Sequence, residues 1–308
     1  MPRVTIVMPA YNAARYLPTA IDSVIHQSYS DWELIVIDDG STDETKSVAT
    51  SYVPRTSGRL RYLYQSNRGP AAARNAGLQA TTGEFIATLD ADDVWLPMRL
   101  ERGISVMDRS PQVGLVHSLV ARINVEGNVV GSFNFPSKHQ AGKIALNIYT
   151  RRANILSPTV LFRRQCIDTV GLFDEAFRGT EDRDLWFRIA ERYEIAYIDE
   201  ILALYRSSPG SVASDSGLAV QTKLSFARKH LERRACSRFS WLRALGQIYR
   251  EQGDVCFSRG QLKQSLGYYT RSVCCNPFNP KNVYMLTRAC AEPWLRGILP
   301  KGIPGATT

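Results

Sequence analysis

Two short apolar runs near the start of the chain each end in a cluster of carboxylates. Leu34-Ile35-Val36-Ile37 leads into Asp38-Asp39-Gly40-Ser41-Thr42-Asp43, and Phe85-Ile86-Ala87 leads through Thr88 into Leu89-Asp90-Ala91-Asp92-Asp93. A run of about four apolar residues closed by turn-forming residues reads as a buried strand. Between such runs the spacing becomes helical. Residues 4–8 read as a strand, and Leu17, Ile21, Val24 and Ile25 mark a helix over 14–27. Residues 34–37 form the second strand, and 42–52 a helix with Asp43 and Glu44 in its first turn. Residues 61–64, 71–81 and 84–89 continue as strand, helix and strand. This alternation predicts an α/β fold with a mostly parallel sheet and right-handed crossovers. In such sheets ligands bind at the carboxyl ends of the strands. Carboxylates placed there suit a ribose or base, which offers donors, or a divalent cation, which takes hard oxygen ligands.

Beyond residue 113 the pattern is less regular. Residues 113–125, 129–135 and 157–162 read as strands, and 182–192 as a helix with Leu185, Trp186, Ile189 and Ala190 on one side. Two short strands are expected over 194–198 and 201–205. Ser207-Ser208-Pro209-Gly210-Ser211 is loop material, and everything after about 215 reads as helix. This divides the chain into a 1–215 domain and a smaller helical region, 216–308. The division coincides with a shift in charge. Residues 216–308 hold 15 Lys and Arg against 4 Asp and Glu, whereas 1–215 hold 23 against 25. The basic excess therefore belongs to the last third, and such asymmetry often marks a module that meets an anionic surface. Within it, Tyr249, Gln252, Gly253, Cys256, Ser265, Tyr269 and Pro277 have the spacing of one tetratricopeptide helix pair, around 246–279.

Several classes are excluded or disfavoured. No apolar run approaches the ~18 residues of a membrane span. The first strand begins at residue 4, leaving no room for a signal peptide, so a cytoplasmic protein is expected. The six cysteines form no C-x-x-C pair and are read as reduced thiols. His26, His117, His139 and His230 match no ligand spacing. No G-x-G-x-x-G follows the first strand, which disfavours a dinucleotide-binding oxidoreductase. Nor does a Gly-rich, Arg-bearing loop, as a nucleotidyltransferase would require. The basic region carries no nucleic-acid recognition motif.

Six segments, in order, carry a resemblance. They are Met8-Pro9-Ala10-Tyr11-Asn12, Asp38 to Asp43, Asn67-Arg68-Gly69 followed by Ala73-Arg74-Asn75-Ala76-Gly77, Leu89 to Asp93, Gly171-Leu172-Phe173-Asp174-Glu175, and Glu181-Asp182. Together they resemble family 2 of the inverting glycosyltransferases, with the GT-A fold, over about 3–215. The resemblance implies a UDP-sugar donor and a saccharide or lipid-linked acceptor in polysaccharide or glycolipid assembly. It also implies transfer of one hexose at a time, because the membrane helices and Gln-x-x-Arg-Trp motif of processive synthases are missing.

The resemblance assigns roles residue by residue. Pro9, Ala10, Tyr11 and Asn12 pack against the base and ribose, and Asp39 accepts the imide N–H of a uracil-type base. Capping of the helix near Thr42 would explain Ser41 or Asp43, but not the carboxylates at both 38 and 39. Arg74 contacts base or phosphates, or else forms a surface salt bridge. Asp90 and Asp92 form a D-x-D motif whose side chains share one side of the strand end. The matching family segment binds Mg2+ or Mn2+, with Asp92 the direct ligand and Asp90 orienting the ribose or a metal-bound water. Asp93 is read as a cap for the segment that follows. Asp182 is the general base, with Glu181 in support, at a helix N-terminus whose field lowers a carboxylate pKa. Arg206 contacts phosphate. The family often has a histidine two residues after that arginine, where this chain has Ser208, so a third protein ligand to the metal is not expected.

A rival reading is a non-catalytic nucleotide-sugar-binding scaffold with a helical interaction module. Asp39, Asp90, Asp92 and Asp182 argue against it, and Ser208 argues for it. The basic helices suggest peripheral contact with an anionic membrane at its inner face, with Trp294 to Pro300 as an added apolar anchor.

Overall fold

The computed structural model describes residues 1–133, 136–177, 179–207 and 216–298, with side chains left out at 216–219 and 292–298. Ser208, the loop around it and the end of the expected 129–135 strand lie outside the described residues. So do the side chains of the 294–300 segment.

β1 (Val4–Ala10) and β2 (Trp32–Asp39) are buried along their whole length. Their unbroken apolar runs suit parallel strands covered on both faces. β1 pairs in parallel with β2, and β2 in parallel with β3 (Leu60–Gln65). On its other side β1 pairs in parallel with β4 (Phe85–Thr88). The crossovers are α1 (Leu17–Ile25), α2 (Thr45–Ser51) and α3 (Pro70–Gln79). Helix α3 lies unusually close to the sheet. A Cβ at Gly77 would sit 2.5 Å from Val7 Cγ1 and 2.7 Å from Ile37 Cδ1. Only a residue with no side chain allows that approach, which carries Arg74, one turn earlier, over the strand ends.

The remaining elements complete a mixed sheet. They are β5 (Val94–Trp95), α4 (Arg99–Arg109), β6 (Val113–Ile123), β7 (Val129–Ser132) and α5 (Ala145–Tyr149), then a 3-10 turn at Ser157–Thr159. After these come β8 (Leu161–Arg163), α6 (Gln165–Val170), α7 (Glu181–Ala190) and β9 (Glu194–Arg206). Among the described residues the strand order is β3-β2-β1-β4-β8-β6-β9-β5, with β7 on the edge of β6. β4–β8, β8–β6, β6–β7 and β5–β9 are antiparallel, and β6–β9 is parallel.

The expected α/β architecture is present, and its departures from expectation are local. The two strands expected over 194–205 are one strand, which absorbs the polar Asp199-Glu200 step as a register shift against β6. The strand expected at 157–162 begins as the 3-10 turn, because Pro158 cannot donate to a ladder. Helix α4 was not anticipated, although Leu100, Ile104 and Met107 bury its inner face.

Met1–Ser214 forms one compact unit and Asp215–Thr308 another. The second unit holds α8 (Ser216–Glu232), α9 (Arg238–Ser258), α10 (Leu262–Cys275) and α11 (Pro280–Ile298). Ser237 caps α9 by accepting from the Ser240 N–H at 3.1 Å. A Cβ at Gly253 would lie 2.4 Å from the fully buried Tyr269 ring, so α9 and α10 touch through a glycine. Tyr269 donates to Asp254 at 3.0 Å, Ser272 donates to the Gly246 carbonyl at 2.7 Å, and Asn282 donates to the carbonyls of Ser272 and Asn276. All six cysteines are free thiols. Among the described residues no helix is long and apolar enough to cross a membrane.

Candidate active site

The loops after β1 and β2 are laced together by short polar side chains. Asn12, at φ +48°, accepts from the Thr42 N–H at 2.9 Å and gives its own N–H to Ser41 Oγ at 2.9 Å. Asp43 accepts the N–H groups of Ala14 and Thr45 and the Thr45 hydroxyl. Those bonds outweigh its partial burial and hold its carboxyl below the usual range. Pro9 and Ala10 are buried in β1, while the Tyr11 ring is 54% exposed at the rim.

Asp38 and Asp39 leave the strand end in different directions. Asp38 accepts from the Ser41 N–H at 2.8 Å and from the Tyr62 hydroxyl at 2.6 Å. Asp39 accepts from Gln65 Nε2 at 2.7 Å, from the Arg68 N–H at 2.9 Å and from the Gly69 N–H at 2.8 Å. Neither caps α2, whose first turn receives no side-chain cap. Capping thus does not account for Asp38 and Asp39. Asp39 instead fixes the turn that starts α3, where Gly69 adopts φ +91°.

Arg74 is nine-tenths buried and touches two carboxylates. It donates to Asp90 Oδ1 at 2.6 Å and to Glu181 Oε1 at 3.1 Å. Burial alone would depress the guanidinium pKa, but Asp90 and Glu181 raise it on balance. Arg74 Nε is buried without a partner, and the guanidinium lies over the Phe173 ring at 5.7 Å. The surface salt bridge considered for Arg74 is thus a buried one. Next to it, Asn75 exchanges hydrogen bonds with the Phe173 backbone, and Arg188 holds the carbonyls of Val170 and Leu172. These contacts explain why the 171–175 segment stands in the motif set: it walls in Arg74.

The D-x-D turn is crowded with negative charge. Burial, and then Asp90, raise Asp92 to about 6. Burial, Asp92 and Asp90 hold Asp93 well above the carboxylate range. Asp93 does not cap the next segment. Its Oδ1 accepts the Arg206 N–H at 2.8 Å, and its buried Oδ2 has no partner. Arg206 spends its guanidinium on backbone carbonyls, reaching Asp92 and Asn124 at 2.8 Å each, and lies over Tyr16 at 4.4 Å. Among the described residues no three His, Cys, Asp or Glu side chains are grouped to hold a metal. The carboxylates still fit a divalent cation. They are hard oxygens that repel one another, and one buried oxygen is unpaired.

Asp182 opens α7 beside Glu181. Glu181 is fully engaged, one oxygen on Arg74 and the other on the Gly179 N–H. Asp182 is partly exposed, bonded to the Arg183 N–H and within 3.5 Å of the Ser157 hydroxyl. The helix field was expected to lower its pKa. Burial and the Glu181 charge prevail instead and raise it to about 6. Ser157 was not among the expected site residues, and Tyr205 was expected only as the first residue of a segment, through Ser214, whose resemblance implies closure over the donor phosphates. Ser157 sits in a stretch with no readable motif, and it is positioned by Thr88, whose hydroxyl donates to the Ser157 carbonyl at 2.6 Å. Tyr205 was visible as the neighbour of Arg206.

The model of glycosyl transferase family 2 matches residues 5–170. The chain is 33% identical over 215 residues to an Escherichia coli protein named UDP-Glc:alpha-D-GlcNAc-diphosphoundecaprenol beta-1,3-glucosyltransferase WfgD, covering 69% of this chain and 80% of that one. It is 30% identical over 208 residues to an uncharacterized glycosyltransferase of Rickettsia prowazekii, covering 65% of this chain but only 63% of the relative. Two solved structures share the fold. One is S. aureus TarS 1-349 in complex with UDP-GlcNAc, with a TM-score of 0.60 and 20% identity over 96% of this chain and 92% of that one. The other is the mannosyltransferase PcManGT from Pyrobaculum calidifontis in complex with GDP-Man and Mn2+, with a TM-score of 0.61 and 18% identity over 96% and 88%.

Proposed function

The chain belongs to glycosyl transferase family 2, and we propose that it transfers one sugar from a UDP-sugar to an acceptor hydroxyl with inversion at the anomeric carbon. The observation that carries this reading is the buried Arg74, which joins the D-x-D carboxylate Asp90 to Glu181 and so sets the two acidic groups side by side. The base and ribose lie along Pro9 to Asn12 and against the Oδ2 side of Asp39. Asp92 and Asp90 hold a divalent cation, Mn2+ or Mg2+. When bound, that cation supplies electrophilic assistance to the departing diphosphate. The Mn2+ in the PcManGT complex is consistent with this use.

Asp182 takes the proton of the attacking hydroxyl. As the acceptor oxygen bonds to the anomeric carbon, the bond from that carbon to the phosphate oxygen breaks on the opposite face, and the electron pair leaves with UDP. A pKa near 6 leaves Asp182 ionised at neutral pH yet basic enough to accept a proton. Glu181 holds Arg74 and the helix start in place without entering the reaction. Arg206, which gives Nε and Nη1 to backbone carbonyls, orders the D-x-D turn. The name of the Escherichia coli relative suggests a saccharide or lipid-linked acceptor in cell-envelope polysaccharide assembly.

For the helical unit we propose a tetratricopeptide-like pair in α9 and α10 and contact with an anionic membrane surface. Supporting the second are the basic excess, an exposed Phe278 (91%) and an exposed Tyr284 (60%) near the start of α11.

The deciding test is UDP binding by calorimetry, with and without Mn2+. Metal-enhanced binding that is lost in Asp39→Ala and Asp92→Asn is the expected result. A wild-type protein that binds UDP with Mn2+ but turns over no UDP-sugar would favour the scaffold reading, and one that binds no UDP, GDP or dTDP would overturn both.

A further inference from the structure

Tyr205 is the penultimate residue of β9 and stands opposite Arg122 on β6. Its ring meets Phe133 edge-on, with centroids 5.8 Å apart and planes at 70°. The next residue, Arg206, gives its backbone N–H to Asp93 and its guanidinium to the Asp92 carbonyl. The 3-10 turn holding Ser157, whose hydroxyl reaches toward Asp182, packs against β9. Tyr205 is therefore close enough to feel the charges of both the D-x-D turn and Asp182.

Two further facts make this phenol unusual. Among the described residues its hydroxyl has no hydrogen-bond partner, although the ring is half-buried. Burial, then Asp93, Asp90, Asp92 and Asp182, oppose its ionisation, so it remains a neutral donor. A tyrosine so placed offers an apolar face and one polar handle. Behind Phe133 lies a cavity of about 10 Å³ lined also by Leu156, Asn154 and Gln140. That is room for one water and not for a sugar ring.

We infer that Tyr205 is the acceptor wall of the site: its ring packs against a saccharide and its hydroxyl donates to an acceptor oxygen beside the one that attacks. This rests on the transferase reading and adds the residue that selects the acceptor. The donor half is the poorer alternative. The diphosphate is anionic and is matched there by a cation, whereas a neutral phenol beside an aromatic edge suits a neutral sugar.

The test uses the full chain with Mn2+ and three readouts: UDP affinity, hydrolysis of UDP-glucose with water as acceptor, and transfer to octyl glycosides of glucose and N-acetylglucosamine. Tyr205→Phe is expected to leave UDP affinity and hydrolysis within about twofold and to raise the glycoside KM about tenfold, the effect of one hydrogen bond. Tyr205→Ala should raise it further, since the wall goes too. Weakened UDP binding in Tyr205→Phe, or an unchanged glycoside KM, overturns the assignment. So does a wild-type enzyme that hydrolyses the donor but accepts no glycoside. A wild type that binds no UDP sinks the underlying transferase reading, a result distinct from all of these.

Discussion

Arg74 bonds Asp90 at 2.6 Å from a position with almost no solvent contact. Its second nitrogen does the same for Glu181 at 3.1 Å. Buried ion pairs contribute modestly as formed, but removing one partner strands a charge and costs about 3–5 kcal/mol. Arg74→Met should therefore destabilise the first unit by about that amount in urea denaturation, with Glu181→Gln costing less because its oxygen still accepts. A loss under 1 kcal/mol in Arg74→Met would mean the carboxylates find water or protons instead.

The proposed base sets a pH profile. Asp182 works only when ionised, and burial with Glu181 raises it to about 6. Turnover should rise with pH up to about 6 and level off above it. Asp92 titrates in the same range, so UDP affinity is measured at each pH to separate binding from chemistry. Asp182→Asn should abolish transfer with UDP affinity nearly intact. Turnover that falls as pH rises through 6 would assign Asp182 the opposite role, that of an acid.

His117 sets a pH dependence of stability. Buried and bonded to the Gln140 carbonyl at 2.8 Å, it is depressed by burial to about 4 from an ordinary 6.5. The folded state leaves it neutral over that window while the unfolded chain takes up a proton. Its contribution is thus complete above 6.5 and fades as pH falls toward 4, by about 3 kcal/mol in total. Urea midpoints at pH 7 and pH 5 should lie closer together in His117→Phe than in the wild type. Equal differences would place the acid sensitivity elsewhere.

The glycine contact between α9 and α10 is testable by a single methyl. Gly253→Ala forces a Cβ into the Tyr269 ring, and overpacking of this kind costs about 1–3 kcal/mol. Thermal unfolding of the helical unit should shift downward, with UDP affinity unchanged.

Much of the first 95 residues was legible because the parallel strands are continuous apolar runs and each carboxylate cluster follows one directly. The strand ends at Asp38 and Asp90 could be placed from that pattern alone. What those carboxylates bind within the fold could not. Asp39 gripping the Gln65–Gly69 turn and Asp93 gripping the Arg206 N–H are long-range pairings, 26 to 30 and 113 residues apart, that no local spacing records. Asp182 was misjudged electrostatically, because a helix start is visible in sequence and the burial that outweighs its field is not. Ser157 was missed for the same reason, since its relevance lies in a contact 25 residues away.

The three bonds that Asp39 makes to Gln65, Arg68 and Gly69 all come from the protein itself. The turn ahead of α3 is thus rigidified during folding, and under the proposed function a uracil would meet this turn already ordered. Association should then be governed by encounter rather than rearrangement, and tightening the nucleotide's grip should appear in its residence time.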